Sequence, residues 1–320
     1  MTQNSVGLAP PIFDKDKKDE WKAYLETEGF AVIGNIQTEE EMITGYNQFI
    51  KDLKSVSPRF NSDSDSDSGS LTSSLDINTC PIMFGKGMGV FNGFGQSDGM
   101  WHLRTNKTIQ SIFKEIYNTD ELVTSLDGFS LFVSKAQKSK SWLHIDQNPK
   151  NKIYSIQGSY NYLPVKDVKD AGFVVVPKSH INYKPDSKSK GDWLVCDPQP
   201  ITESRKLIIP KNCLTIWNSK TIHANEGMKK SNIEINRLTC YITYQPKSLR
   251  TEAIKKKRID AYLSGKATSH WANKCELKKY PFGFKSRYEA RGFGTIKPRI
   301  IEAEKELFNK GIPIVRFNLL

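Results

Sequence analysis

The sequence predicts a mainly β fold, closed as a small barrel or jelly roll, with helices on its flanks. Three observations lead there. Alternation of period two marks strands over Trp142 to Gln147, Cys213 to Trp217 and Arg237 to Tyr244. Each of these segments carries, or delivers at its end, a residue suited to catalysis or ligand binding. Those residues are far apart in sequence, and a small barrel is a fold in which several strand ends converge on one cavity.

Taken in order, residues 1–15 read as a loose tail, Lys18 to Leu25 as a short helix and Gly29 to Ile33 as a buried strand. Thr38-Glu39-Glu40-Glu41 is a capping box. After it Met42, Ile43, Tyr46, Phe49, Ile50 and Leu53 fall on one helical stripe that faces a core. Residues 61–75 alternate Ser and Asp from Ser62 to Ser68, bury little apolar area and are expected to form a mobile loop. They lack the rest of an EF-hand pattern. Gly85 to Gly99 is glycine-rich without the Gly-Lys-Ser/Thr ending of a phosphate loop, and so reads as an irregular loop near a pocket mouth. A helix is predicted over Asn106 to Tyr117. Barrel strands begin at Phe129 and run to about Gln245, where Pro246 stops the last one. The expected organisation is one domain over 1–320: a helical part at 16–127, a jelly-roll core at 128–247 and a basic extension at 248–320.

Within the predicted strands, alternation puts Trp142, His144 and Asp146 on one face and sends Leu143 and Ile145 into a core. His223 follows the strand Cys213 to Trp217. Arg237 opens the next strand and shares a face with Thr239, Tyr241 and Thr243. Two imidazoles and one carboxylate can occupy one face of a ferrous ion and leave the other open for a keto acid and dioxygen. A guanidinium fork nearby suits the far carboxylate of 2-oxoglutarate.

In these segments the chain resembles the phytanoyl-CoA dioxygenase family of Fe(II)/2-oxoglutarate-dependent oxygenases. The resemblance spans roughly residues 20–250 and rests on Trp142 to Gln147, Ala171 to His180, Trp217 to Asn225 and Arg237 to Tyr244. It implies a double-stranded β-helix (jelly roll, cupin-like) core, an iron triad of His144, Asp146 and His223, and Arg237 as the 2-oxoglutarate arginine. Asn225, Gln157 and Asn161 match further positions that line the cosubstrate pocket in relatives. It also implies that His180 caps a turn rather than binding metal. Two departures stand out. Ala171 replaces the first glycine of a Gly-Gly pair, and Lys178 replaces the glycine of Pro-Gly-Ser-His. Because Lys adopts positive φ less easily than Gly, the turn at 178 is expected to differ.

The expected activity is Fe(II)-, 2-oxoglutarate- and O2-dependent hydroxylation of a C–H bond in a small-molecule or lipid/CoA-type substrate. Three alternatives compete with it. The formal charge is +12, and residues 247–320 hold 18 Lys or Arg against 7 Asp or Glu. That excess fits a nucleobase or nucleic-acid oxygenase, although a solvated tail, with Lys255-Lys256-Lys257-Arg258 facing water, explains it as well. A non-catalytic module on the same scaffold fits poorly, because all four key positions are filled. A zinc hydrolase would need a base that no His-Glu-x-x-His supplies. Five scattered cysteines without a C-x-x-C pair fit a reducing compartment. With no leader, no apolar run of about 20 residues and no terminal Ser-Lys-Leu, a cytoplasmic location is expected.

Overall fold

The computed structural model describes residues 6–56, 88–89, 93–133, 142–186, 190–230, 235–278, 306–307, 309–310 and 315–320. The Ser/Asp-rich segment, Gly85 and Gly87 lie outside them. The strands are β1 (Val6–Leu8), β2 (Ile12–Phe13), β3 (Phe30–Ile33), β4 (Met88–Gly89), β5 (Leu122–Thr124), β6 (Phe129–Phe132), β7 (His144–Ile145), β8 (Ile156–Asn161), β9 (Gly172–Val175), β10 (Leu194–Val195), β11 (Arg205–Leu207), β12 (Cys213–Asn218), β13 (His223–Glu226), β14 (Arg237–Tyr241) and β15 (Tyr244–Pro246). The helices are α1 (Lys18–Glu28), α2 (Glu39–Val56), α3 (Asp98–Arg104), α4 (Lys107–Tyr117), α5 (Ser179–Asn182) and α6 (Glu252–Leu263). No helix among these is long and apolar enough to cross a membrane.

The chain divides into two compact units, each discontinuous in sequence. One comprises Met1–Ile36, Phe84–Gly87 and Leu131–Thr239; the other comprises Gln37–Met83, Met88–Ser130 and Cys240–Leu320. The first overlaps the expected jelly-roll segment over Leu131–Thr239 and also takes in the N-terminal 36 residues.

The first unit is a double-stranded β-helix with helices on its flanks. One sheet has the order β1-β11-β9-β13-β7-β10; the other runs β2-β3-β12-β8-β14 and on to the Leu131–Phe132 end of β6. Pairings through the middle of both sheets are antiparallel: β13 with β7 and β9, β12 with β3 and β8. The inner faces meet through aromatic contact, with Phe173 of β9 4.8 Å from Trp217 of β12. On the other face of the first sheet Leu143, Ile145, Val174, Val176, Cys196, Ile222 and Ala224 form a buried apolar cluster. Burial of such side chains stabilises each by about 1.5–3 kcal/mol.

Two expectations are corrected here. Residues 6–8 and 12–13 are not a loose tail: β1 pairs in parallel with Arg205–Leu207 and β2 with Val32–Ile33. Such short strands are held by main-chain hydrogen bonds and need no side-chain pattern. The turn at Lys178 does take the left-handed conformation, with φ 64°. It is held there by the Lys178 N–H donating to Glu28 O at 2.8 Å, and Lys178 Nζ lies 3.4 Å from Glu28. Gly29, left-handed at φ 84°, ends α1; a Cβ there would come within 2.6 Å of His180 and Thr221. His180 Nε2 meets Glu26 O at 2.9 Å, which places it in this turn and apart from the triad.

The second unit gathers the remaining helices. The Thr38–Glu41 capping box is reciprocal: Thr38 N–H donates to the Glu41 carboxylate at 2.9 Å, and Glu41 N–H to Thr38 Oγ1 at 3.2 Å. Met42, Tyr46, Phe49, Ile50 and Leu53 of α2 are buried as the stripe predicts. Gly99 is not loop but helix, packed so tightly on α2 that a Cβ would reach Phe49 at 3.0 Å. The strand expected to run through Tyr244 breaks after Tyr241: Thr243 pairs with Ser125, and β15 then pairs with β5. Arg258 does not face water either. It is fully buried, donating to the carbonyls of Leu320, Lys274 and Thr124.

Candidate metal centre

His144, Asp146 and His223 converge on one point, with one potential ligand atom from each lying within 4.8 Å of the others. The sheet explains how. His144 of β7 and His223 of β13 are register partners on neighbouring antiparallel strands, so their side chains share the inner face. Asp146, two residues beyond His144, returns to that face as β7 ends; its N–H donates to Ser219 O at 3.0 Å. His223 follows shortly after β12 and opens a strand of its own.

Both imidazoles are held through Nδ1. His144 Nδ1 donates to Trp142 O and His223 Nδ1 to Thr221 O, each at 2.9 Å. Each Nε2 is thereby directed at the carboxylate: His144 Nε2 is 3.5 Å from Asp146 Oδ1 and His223 Nε2 3.2 Å from Oδ2. Burial holds the His144 pKa below the usual imidazole range, and the neighbouring His223 adds to this against the opposing pull of Asp146. Neutral imidazole is the form that binds metal. Rings pack the ligands in place. Trp142 stacks on His144 at 4.5 Å, and Phe173 and Trp217 lie 5.4 and 5.3 Å from His223.

Gln157, on β8, donates to Asp146 Oδ2 at 2.9 Å. Ser219 Oγ lies 3.3 Å from the same amide and donates to Ser155 Oγ at 2.9 Å. A second polar chain runs through the other expected residues. Arg237 is buried; its Nη1 donates to Asn225 Oδ1 at 2.7 Å and its Nε to Thr239 Oγ1 at 3.0 Å, while Thr239 donates to Asn161 at 2.8 Å. Asn225 is two residues past His223 on β13 and so shares its face. Gln157 therefore orients the carboxylate, whereas Asn161, Asn225 and Thr239 orient the guanidinium.

Sequence reasoning missed Lys206. Its side chain is fully buried; Nζ donates to the carbonyls of Val168 and Asp170, both at 2.9 Å, and lies 3.2 Å from Glu226. Burial lowers its pKa and Glu226 opposes the shift. The nearby cations Lys229 and Arg237 add to the lowering. Nothing in the local sequence marks Lys206, since its partners are carbonyls brought together only by the fold. Trp193 was missed as well, although its ring lies 5.7 Å from His144. His102 and His270 belong to the second unit; His102 Nε2 meets Gln37 at 2.9 Å, and His270 packs on Trp271.

No protein-family model matches the chain. Ava biosynthesis cluster protein O of Aspergillus versicolor is 23% identical over 285 residues, 80% of this chain and 88% of that protein. HygX from Streptomyces hygroscopicus, solved with nickel and 2-oxoglutarate bound, is 14% identical over 71% of this chain and 87% of that one, at a TM-score of 0.48. The crystal structure of SnoK, a non-haem α-ketoglutarate-dependent carbocyclase from nogalamycin biosynthesis, aligns with 74% of this chain and 87% of its own at a TM-score of 0.51 and 10% identity. The likeness to SnoK is one of fold.

Proposed function

We propose that this chain is a ferrous-iron, 2-oxoglutarate-dependent oxygenase that hydroxylates a C–H bond of a small organic substrate. One observation carries the reading: two Nε2 atoms, each fixed by an Nδ1–H bond to a carbonyl, aim at one carboxylate whose own orientation is set by Gln157. That donor set fits a divalent metal of the iron type. Two neutral nitrogens and one anionic oxygen on one side leave the remaining positions for exchangeable ligands.

When bound, iron with 2-oxoglutarate supplies dioxygen activation, the keto acid leaving as succinate and carbon dioxide. The protein's part is to hold and to exclude. His144, Asp146 and His223 would hold the metal. Arg237, oriented by Asn225 and Thr239, would pair with the distal carboxylate of the diacid. Phe173, Trp217 and Trp142 pack around the imidazoles and exclude water from that side. The name of the Aspergillus relative, a biosynthesis cluster protein, supports a small-molecule substrate over a macromolecular one. The complete burial of Arg258 also removes one of the cations that had suggested a nucleic-acid surface.

The test is anaerobic loading with Fe(II) and 2-oxoglutarate, admission of oxygen, and measurement of succinate across a panel of small organic compounds. Release in the native chain and none in Asp146→Ala is expected. Equal release from the two proteins would remove the triad from the chemistry.

A further inference from the structure

We propose that Trp193 and Val195 form the substrate wall of this site, and that the substrate lays a flat, apolar ring, aromatic or conjugated, against it. The proposal rests on the reading of His144, Asp146 and His223 as the reaction centre and deepens it to a substrate class.

β10 is the last strand of its sheet and pairs with β7, with Val195 opposite His144 and Leu194 opposite Ile145. Register partners in an antiparallel pair point to the same face. Val195 therefore shares the inner face with His144, and the same alternation puts Trp193 level with Asp146. Leu194 points the other way and packs on the buried cluster of Leu143 and Ile145. The inner face of a closed β fold is where burial is expected. Yet Trp193 is 54% exposed and Val195 46%, while their neighbour His144 is 4% exposed. Scattered single apolar residues on a surface need no explanation. Val195 on this edge strand and Trp193 immediately before it, both beside the metal-binding residues, mark an opening onto the centre.

Trp193 is also held ready. Asp192, just before it, accepts from Asn151 Nδ2 at 3.1 and 3.2 Å, and Asn148 Nδ2 donates to Gly191 O at 3.2 Å. After it, Cys196 N–H donates to Leu143 O at 2.9 Å. The backbone on both sides of the indole is pinned, so little ordering remains to be lost when a ligand binds. Among the described residues the only ring Trp193 meets is that of His144, at 5.7 Å and 47°. More than half of the Trp193 surface is exposed beside the centre. An aromatic face prefers another flat π surface in offset or tilted contact, and Val195 next to it offers only apolar contact. The combination selects a planar ring over a saturated one.

The test compares two probes with the same carbon skeleton, flat 2-naphthol and non-planar trans-2-decalol. Each is titrated into the full chain, metal-free and again with nickel(II) and 2-oxoglutarate, and followed by calorimetry and by the indole N–H resonance of Trp193, assigned from Trp193→Phe. Naphthol is expected to bind roughly five- to tenfold more tightly than decalol and to shift that resonance. Trp193→Ala should abolish the preference and Trp193→Phe should keep most of it. The Trp193 side chain is largely solvent-exposed, so unchanged melting of both variants serves as the folding control. Equal affinity for the two probes, no measurable naphthol binding, or a preference that survives Trp193→Ala would overturn the proposal. A preference that persists in a chain that binds no nickel would leave the wall standing and remove the oxygenase reading.

Discussion

Gln157 donates to Asp146 Oδ2 at 2.9 Å, the same oxygen that faces His223 Nε2 across 3.2 Å. The carboxylate is thus turned by the side-chain amide of a residue outside the triad. Residues orienting a ligand from behind typically contribute 10–100-fold to metal affinity. Gln157→Ala is expected to weaken nickel(II) binding by roughly that factor while leaving the fold intact. Titration calorimetry checks this, and unchanged affinity would mean that Asp146 needs no such support.

Arg237 is held in two directions, by Asn225 and by Thr239. Lysine keeps the charge but loses the planar fork. Arg237→Lys should raise the 2-oxoglutarate dissociation constant at least about tenfold, with metal affinity little changed; Asn225→Ala should move it in the same direction by less. If both variants bind the diacid like the native chain, the guanidinium is structural.

Lys178 sits at φ 64° in a turn where glycine carries no Cβ penalty. Its ion pair with Glu28 is largely exposed and contributes little. Lys178→Gly should therefore stabilise the chain by about 0.5–1 kcal/mol, the relief of left-handed strain less the added freedom of the unfolded chain. A lower melting temperature would show that contacts of the lysine outweigh the strain.

Asp52, buried on α2, accepts from Gly99 N–H at 2.8 Å, yet burial pushes its carboxyl up to about 6, with Asp98 adding to the shift. An unfolded carboxylate titrates near 4. Between about pH 4 and 6 the folded chain retains a proton that the unfolded chain has released, so this residue's contribution to stability falls as pH rises through that window. Asp52→Asn stays neutral throughout. Measured by denaturant unfolding, its stability relative to the native chain should improve by about 2–3 kcal/mol from pH 4 to pH 7. A pH-independent difference would place the ionised carboxylate in a well-solvated setting.

The sheet face carrying His144 and Asp146 was legible because period-two spacing settles which side chains sit together, whatever the sheet order. Arg237 and Thr239 were paired by the same alternation, and the α2 stripe by its helical period. What stayed hidden depends on tertiary partners. β1, β2 and β10 have two or three residues each and are recruited by main-chain bonds from strands distant in sequence. Trp193 and Val195 therefore gave no strand signal. Arg258 read as a surface cation, and Lys206 carried no signal at all, because nothing local announces the carbonyls that receive them. The left-handed turn at Lys178 is imposed by Glu28, 150 residues earlier.

The most direct test of the central claim is the metal stoichiometry of the full chain under anaerobic conditions, by equilibrium dialysis against Fe(II) followed by elemental analysis. One iron per chain is expected in the native protein, with binding lost in each of His144→Ala, Asp146→Ala and His223→Ala while all three stay folded. Retention of one tightly bound iron in any of these variants would show that the metal sits elsewhere and that the triad is not its site.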